Sequence, residues 1–295
     1  MNNDILKNLI KKQKSNYTLD QEFYVDDYIF DLDIKNIFSK QWVFVGHISR
    51  IPKYGDYFLF NIGKESIIII RDKNDKIYAH YNVCRHRGSH ICLEESGNKK
   101  LLICPYHAWS YNLDGTIKSA RLMNDNFNRE EWSLNKCNLK IFEGLIFINL
   151  SDKPNNFNEF IAPTKKFIEF HGLSNAKIAH RQMYPTNGNW KLTLDNFHEC
   201  YHCQPAHPEY CKVHDKEYII AYGAGSNTGP SSKKFDKILQ NWNEKVKKMG
   251  HVTGEYSESE FNDYSRSAER TPLKEGMFTE TKSGKPVSKL MGNFK

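Results

Sequence analysis

No apolar stretch in this sequence approaches the roughly 20 residues that a membrane-crossing helix needs. The densest run, Ile67 to Ile70, has the length of a strand. The amino terminus, MNNDILKNLIKKQK, lacks the long apolar core of a secretory leader. A cytoplasmic protein with no membrane partner is therefore expected. No internal repeat is present. The seven cysteines are an odd set without an export signal, which argues against a disulfide framework. The net charge of +7 comes from lysines spread along the chain, and no basic run is interleaved with aromatics. Nucleic acid is not an expected partner.

What is present is enough for two domains. The chain has 295 residues, 13% of them aromatic and 26% charged, an ordinary balance for a globular protein with a sizeable core. Ile5, Leu6, Leu9 and Ile10 recur at helical spacing within residues 1–40, which predicts an N-terminal helical arm. From Trp42 to about Leu150 the pattern changes to short apolar runs: WVFVGH, YFLFNI, SIIIIR, KIYAHYNV, KLLICP, AWSYNL, LKIF and LIFINL. Turn residues, among them Gly97-Asn98 and Asp114-Gly115, break them up, and this reads as an all-β unit. Pro154 and Asn155 to Asn158 mark a loop. Helices are predicted over Phe160 to Phe170 and Trp190 to Tyr201, with a strand over Ala179 to Tyr184. Phe235, Ile238, Leu239, Trp242 and Val246 predict an amphipathic helix whose other face is lysine-rich.

The cysteines are more informative by their neighbours than by their number. Cys84-Arg85-His86 and Cys104-Pro105-Tyr106-His107 form mixed pairs, C-x-H and C-x2-H, with 17 residues between them. Two thiolates and two imidazoles suit a [2Fe–2S] centre in which sulfur holds one iron and nitrogen the other. Neutral nitrogens raise its reduction potential above that of an all-cysteine cluster. Gly88 permits close backbone approach, Pro105 stiffens the second loop, and Trp109 and Tyr111 are placed to pack beneath it. A Cys2His2 zinc site is the alternative on spacing alone. Classical zinc fingers, however, pair Cys with Cys and His with His, and both loops here lie among strands.

Further on, NWKLTLDNFHECYHCQPAHPEY contains Glu199-x2-His202-x4-His207. Two histidines and a carboxylate from elsewhere would make a facial triad with positions open for O2. A pair of ordinary histidines is the plain alternative.

YNVCRHRGSHIC followed by CPYHAWSYNLDG resembles the cluster motif of Rieske non-haem iron oxygenases. Asn189-Trp190-Lys191 and Asp195-Asn196-Phe197 resemble the catalytic-domain motif of their alpha subunits. The resemblance implies an α+β chain. Residues 1–40 would form a helical arm packing with the catalytic domain, and residues 41–152 an all-β Rieske domain. Residues 153–295 would form a helix-grip catalytic domain lacking its C-terminal part. It implies Cys84, His86, Cys104 and His107 as [2Fe–2S] ligands, and His202 and His207 as ligands of a mononuclear Fe(II). The third, carboxylate ligand is expected beyond residue 295, and Glu255, Glu258, Glu260 and Asp263 match no motif. Glu199, aspartate in many relatives, is implied to bridge His202 to His107 of an adjacent subunit. His198, Cys200 and Cys203 match no ligand position.

DNFHECYHCQPAHPEY is most similar to the quaternary-ammonium branch, which implies oxidative N-demethylation of a compound such as glycine betaine, with formaldehyde released. NAD(P)H would serve indirectly, through a flavin and iron–sulfur reductase, and a homo-oligomer such as a trimer is implied. The alternatives are an aromatic-ring dioxygenase and an electron-carrying Rieske protein with an inactive second domain.

Overall fold

A computed structural model of the chain describes residues 3–14, 17–124, 126–198, 202–214, scattered positions between 237 and 248, and most of 273–287. The chain divides into two compact units, residues 1–185 and 186–295.

The first unit opens with the arm: α1 (Asn3–Lys12), α2 (Glu22–Val25) and α3 (Asp27–Asp33), followed by a π-helical turn at Ile34–Phe38. The Asp26 side chain accepts from the Ile29 amide and so caps α3. Leu9, Phe23 and Ile29 close into a small core of their own.

Each of the eight apolar runs becomes a strand: β1 (Val43–His47), β2 (Asp56–Ile62), β3 (Glu65–Arg71), β4 (Ile77–Tyr81), β6 (Leu102–Ile103), β7 (Ser110–Tyr111), β9 (Asn138–Phe142) and β10 (Leu145–Asn149). Two short strands had no apolar signal, β5 (Ser96–Asn98) and β8 (Ile117–Ser119). Gly97-Asn98, expected as a break, lies in β5, where pairing with β2 holds it extended.

Three antiparallel sheets result, ordered β1-β10-β9, β4-β3-β2-β5 and β6-β7-β8. The four-stranded sheet is central because β3 is apolar on both faces. Ile67 and Ile69 join Val45, Ile146 and Ile148 in one core. Ile68 and Ile70 join Leu102, Trp109, Tyr111 and Ile117 in the other. All four isoleucines are fully buried.

The helix α4 (Phe157–Phe170), capped by Asn156, lays Phe157 and Ile161 against Trp42 and Phe147. The strand expected over Ala179 to Tyr184 is not formed. Residues 176–186 carry no helix or strand, and among the described residues none pairs with them. A strand needs a neighbour to satisfy its backbone, and residue preference alone does not supply one.

In the second unit the described residues form α5 (Trp190–His198), α6 (Cys203–Ala206) and α7 (Pro208–Val213), with a bridge between His214 and Leu273. The apolar positions of the helix expected at Phe235 to Val246 lie outside the described residues, as do Glu255, Glu258, Glu260 and Asp263. Lys237, Gln240, Asn241, Glu244, Lys247 and Lys248 are helical and exposed. Sheets and helices together make the fold α+β. Among the described residues no helix is long and apolar enough to cross a membrane.

Candidate functional site

Two loops carry the mixed Cys/His pairs, and their backbones are built alike. The first leaves β4 and the second joins β6 to β7. Cys84 N–H donates to the Ser89 carbonyl at 2.8 Å, and Cys104 N–H donates to the Trp109 carbonyl at 2.8 Å. The amides four residues on, of Gly88 and Ala108, donate back to Cys84 and Cys104 at 3.0 and 3.1 Å. Closing the turn this way needs a left-handed residue, and Gly88 (φ 76°) and Ala108 (φ 58°) supply it. A Cβ on Gly88 would meet no atom within 4 Å, so backbone conformation is what calls for glycine there.

The loops bring their side chains together. The Cys84 and Cys104 thiols lie near enough for Cys104 to raise the Cys84 pKa. The His86 and His107 rings lie 4.7 Å apart, edge to face. The Nδ1 atoms of both histidines are buried without a hydrogen-bond partner, an arrangement that is costly for a ring nitrogen unless a ligand takes it up. Burial, reinforced by the nearby His86 and Arg87, lowers the His107 pKa and favours the neutral ring a metal would need. Burial also pushes the Cys84 thiol up, and Cys104 adds to this, while the Tyr111 hydroxyl and the His86 backbone oppose it. Two thiolates side by side in a buried place require a cation between them. The donor set therefore fits a two-iron cluster, sulfur toward one iron and nitrogen toward the other. Among the described residues no three His, Cys, Asp or Glu side chains surround a single point, as one metal ion would require. A cluster divided two and two makes no such demand.

The floor is aromatic. Trp109, buried, stacks flat on His86 at 4.7 Å. Phe127 and Trp132 stand edge-on to Trp109 at 5.5 and 5.7 Å. The Tyr111 hydroxyl lies 3.2 Å from Cys84 Sγ and accepts from the Arg85 amide at 3.1 Å. Asn82, fully buried, fixes the base of the first loop: its Oδ1 accepts from the Ile91 and Cys92 amides, and its Nδ2 donates to the Cys92 carbonyl. Sequence reasoning anticipated Trp109 and Tyr111 and missed Asn82, Phe127 and Trp132. A polar residue directly after a strand, two positions before a ligand, was the available signal for Asn82.

In the second unit His202 directly precedes α6 and His207 stands between α6 and α7, where Pro208 opens the new helix. Their rings are 5.3 Å apart, edge to face. Glu199 lies outside the described residues, and so does Cys200. Cys203 is disulfide-bonded, although no disulfide was expected. His214, which the sequence did not single out, is fully buried. It bonds the Tyr210 carbonyl at 2.8 Å through Nδ1, with Glu280 3.5 Å from Nε2.

Residues 41–140 match the model of the Rieske [2Fe-2S] domain, and residues 173–285 match that of the ring hydroxylating alpha subunit (catalytic domain). The glycine betaine monooxygenase oxygenase subunit of Pseudomonas aeruginosa is 33% identical over 293 residues, covering 97% of this chain and 65% of that protein. The carnitine monooxygenase oxygenase subunit of Escherichia coli is 33% identical over 211 residues, covering 69% of this chain and 56% of that protein. A solved quaternary ammonium Rieske monooxygenase matches with a TM-score of 0.62 at 32% identity, over 66% of this chain and 55% of that one. The chain thus spans less than two thirds of the length of these relatives. It carries a Rieske [2Fe-2S] domain followed by a segment matching the catalytic domain of the ring-hydroxylating alpha subunits.

Proposed function

We propose that the chain serves as the terminal oxygenase component of a Rieske non-haem iron system acting on a small quaternary ammonium compound such as glycine betaine. Cys84 and Cys104 would hold one iron of the cluster, and His86 and His107 the other. His202 and His207 would hold the mononuclear iron. The observation that carries the reading is the pair of buried, unpartnered Nδ1 atoms of His86 and His107, whose rings lie 4.7 Å apart on the loops that also carry the buried Cys84 and Cys104. Bound there, the cluster supplies one-electron transfer at a potential raised by the two imidazoles, and Fe(II) supplies O2 activation.

The chain's own residues do the rest. Trp109, Phe127 and Trp132 exclude water beneath His86. Tyr111 sets a hydroxyl against the Cys84 sulfur. Glu199 is assigned as the link between His202 and His107 of a neighbouring copy in a ring, by resemblance to the family. Hydroxylation of an N-methyl group would give a hemiaminal that collapses to formaldehyde and the demethylated amine. A reductase carrying flavin and iron–sulfur groups would deliver electrons from NAD(P)H. We place the protein in the cytoplasm and divide it into an arm (1–40), a Rieske domain (41–152) and a catalytic domain (153–295).

The test combines spectroscopy with turnover. Iron-loaded protein should be brown with a low-field Rieske EPR signal. Given a reductase and NADH, it should release formaldehyde when glycine betaine is added. A colourless zinc protein would overturn the cluster assignment. A Rieske signal without betaine-dependent formaldehyde would overturn the substrate.

A further inference from the structure

A second feature of the first unit is built around strand β1 and reaches the outer end of the first cluster loop at His90 and Cys92. In its pairing with β10, strand β1 carries an irregularity between Phe44 and Gly46, the kind of bulge that re-aims a neighbouring side chain. Gly46 has φ 155°, and a Cβ there would lie 3.1 Å from Arg50 Cδ and 3.2 Å from both Arg50 Nη1 and Phe58 Cζ. The missing side chain makes a seat for Arg50. Its guanidinium rests 3.7 Å above the buried Phe58 ring, and Nη1 donates to the Val45 carbonyl at 3.3 Å. A long side chain is thereby fixed before any ligand arrives, which lowers the entropic cost of binding one.

Arg50 faces a half-open cleft of about 830 Å³. Phe44, Leu59, Phe60, Leu145 and Leu173 give it an apolar wall, and Arg181 enters from the irregular stretch that follows α4. Among the described residues the wall carries one carboxylate, Glu95, against three permanent cations, Arg50, Lys177 and Arg181. Burial lowers the Arg50 pKa and Arg181 lowers it further, with Glu95 opposing them, so the two guanidiniums are close enough to repel. Such a cleft is of ligand-binding size, apolar with a few convergent polar groups. Its polar groups demand an anion, and a carboxylate matches the guanidinium fork. A quaternary ammonium cation without a carboxylate would be repelled, and among the described residues none assigned to either iron site lines the cleft.

We propose that this cleft is a binding site for a small carboxylate with a bulky apolar body, the carboxylate held by Arg50 and Arg181 and the body laid on Phe44, Leu59 and Phe60.

Equilibrium dialysis of the full chain with 1-pyrenebutyrate and with the uncharged 1-pyrenebutanol tests it. The acid should bind about tenfold more tightly than the alcohol, the worth of a charge-assisted hydrogen bond. Arg181→Gln and Arg50→Gln should each weaken the acid about tenfold and leave the alcohol unchanged. Arg181 is exposed, so its substitution reads out binding without disturbing the core, and Arg50→Lys restores the charge should Arg50→Gln upset the packing on Phe58. Equal binding of acid and alcohol would overturn the proposal. So would no binding of the acid, or acid binding by Arg181→Gln as tight as the parent's.

Discussion

The His86 ring lies on the Trp109 indole with centroids 4.7 Å apart and planes 14° from parallel. The orientation of one proposed ligand is thus set by a side chain from the other loop, and the contact joins the two halves of the site.

Trp109→Ala should be severely destabilising. The indole is buried between His86, Phe127 and Trp132, and truncation of such a core aromatic costs about 3–5 kcal/mol. Urea unfolding of the full chain measures it, with Trp109→Phe expected to lose much less. A loss below about 1 kcal/mol would mean the ring is not structural.

Tyr111→Phe removes the hydroxyl beside Cys84 Sγ and strands the Arg85 amide. A cost of about 1–3 kcal/mol is expected for the unmet donor. The loaded protein should also show a lower midpoint potential, because hydrogen bonds to cluster sulfur raise it. An unchanged potential would exclude the hydroxyl as a tuning group.

His80 predicts how stability depends on pH. It is fully buried, and Nε2 bonds the Leu113 carbonyl at 2.9 Å, so Nε2 carries the proton of a neutral ring. Burial lowers its pKa below the ordinary 6.5. Between the unfolded and folded values the unfolded chain binds the extra proton, so stability falls as pH drops below about 6.5. The slope contributed by this one group is at most about 1.4 kcal/mol per pH unit. Unfolding curves from pH 7.5 to 5.5 should show it, and His80→Gln should flatten it. An undiminished slope in the variant would assign the effect elsewhere.

His202→Ala and His207→Ala should leave the Rieske EPR signal intact and reduce the iron content by the mononuclear share alone. Cys104→Ser should abolish the signal. Loss of the Rieske signal in His202→Ala would show that the two metal assignments are not independent.

The ligand pairs were legible because each is local: a cysteine and a histidine two or three residues apart declare themselves in sequence. The strands were legible for a similar reason, since β3 reads as an unbroken isoleucine run, as a strand buried on both faces should. The floor of the site was not. Phe127 and Trp132 reach Trp109 across a loop whose residues carry no periodic signal, and Asn82 looks like any polar residue after a strand. Ala179 to Tyr184 shows the opposite error, where a local preference for strand exists without a neighbour to pair with. His214 is hidden among ordinary neighbours, and its burial arises from contact with residues more than 50 positions later.

The two cluster loops hang from different sheets, one from the end of β4 in the four-stranded sheet and one from the β6–β7 hairpin. A group gripped by both acts as a rivet between layers that are otherwise joined by side-chain packing and a few hydrogen bonds, such as that from His80 to the Leu113 carbonyl. Its binding energy then becomes folding energy for the whole β unit. Chelation should loosen the hairpin as a body, and amide exchange across β6 to β8 should quicken before the isoleucine strand at the centre notices the loss.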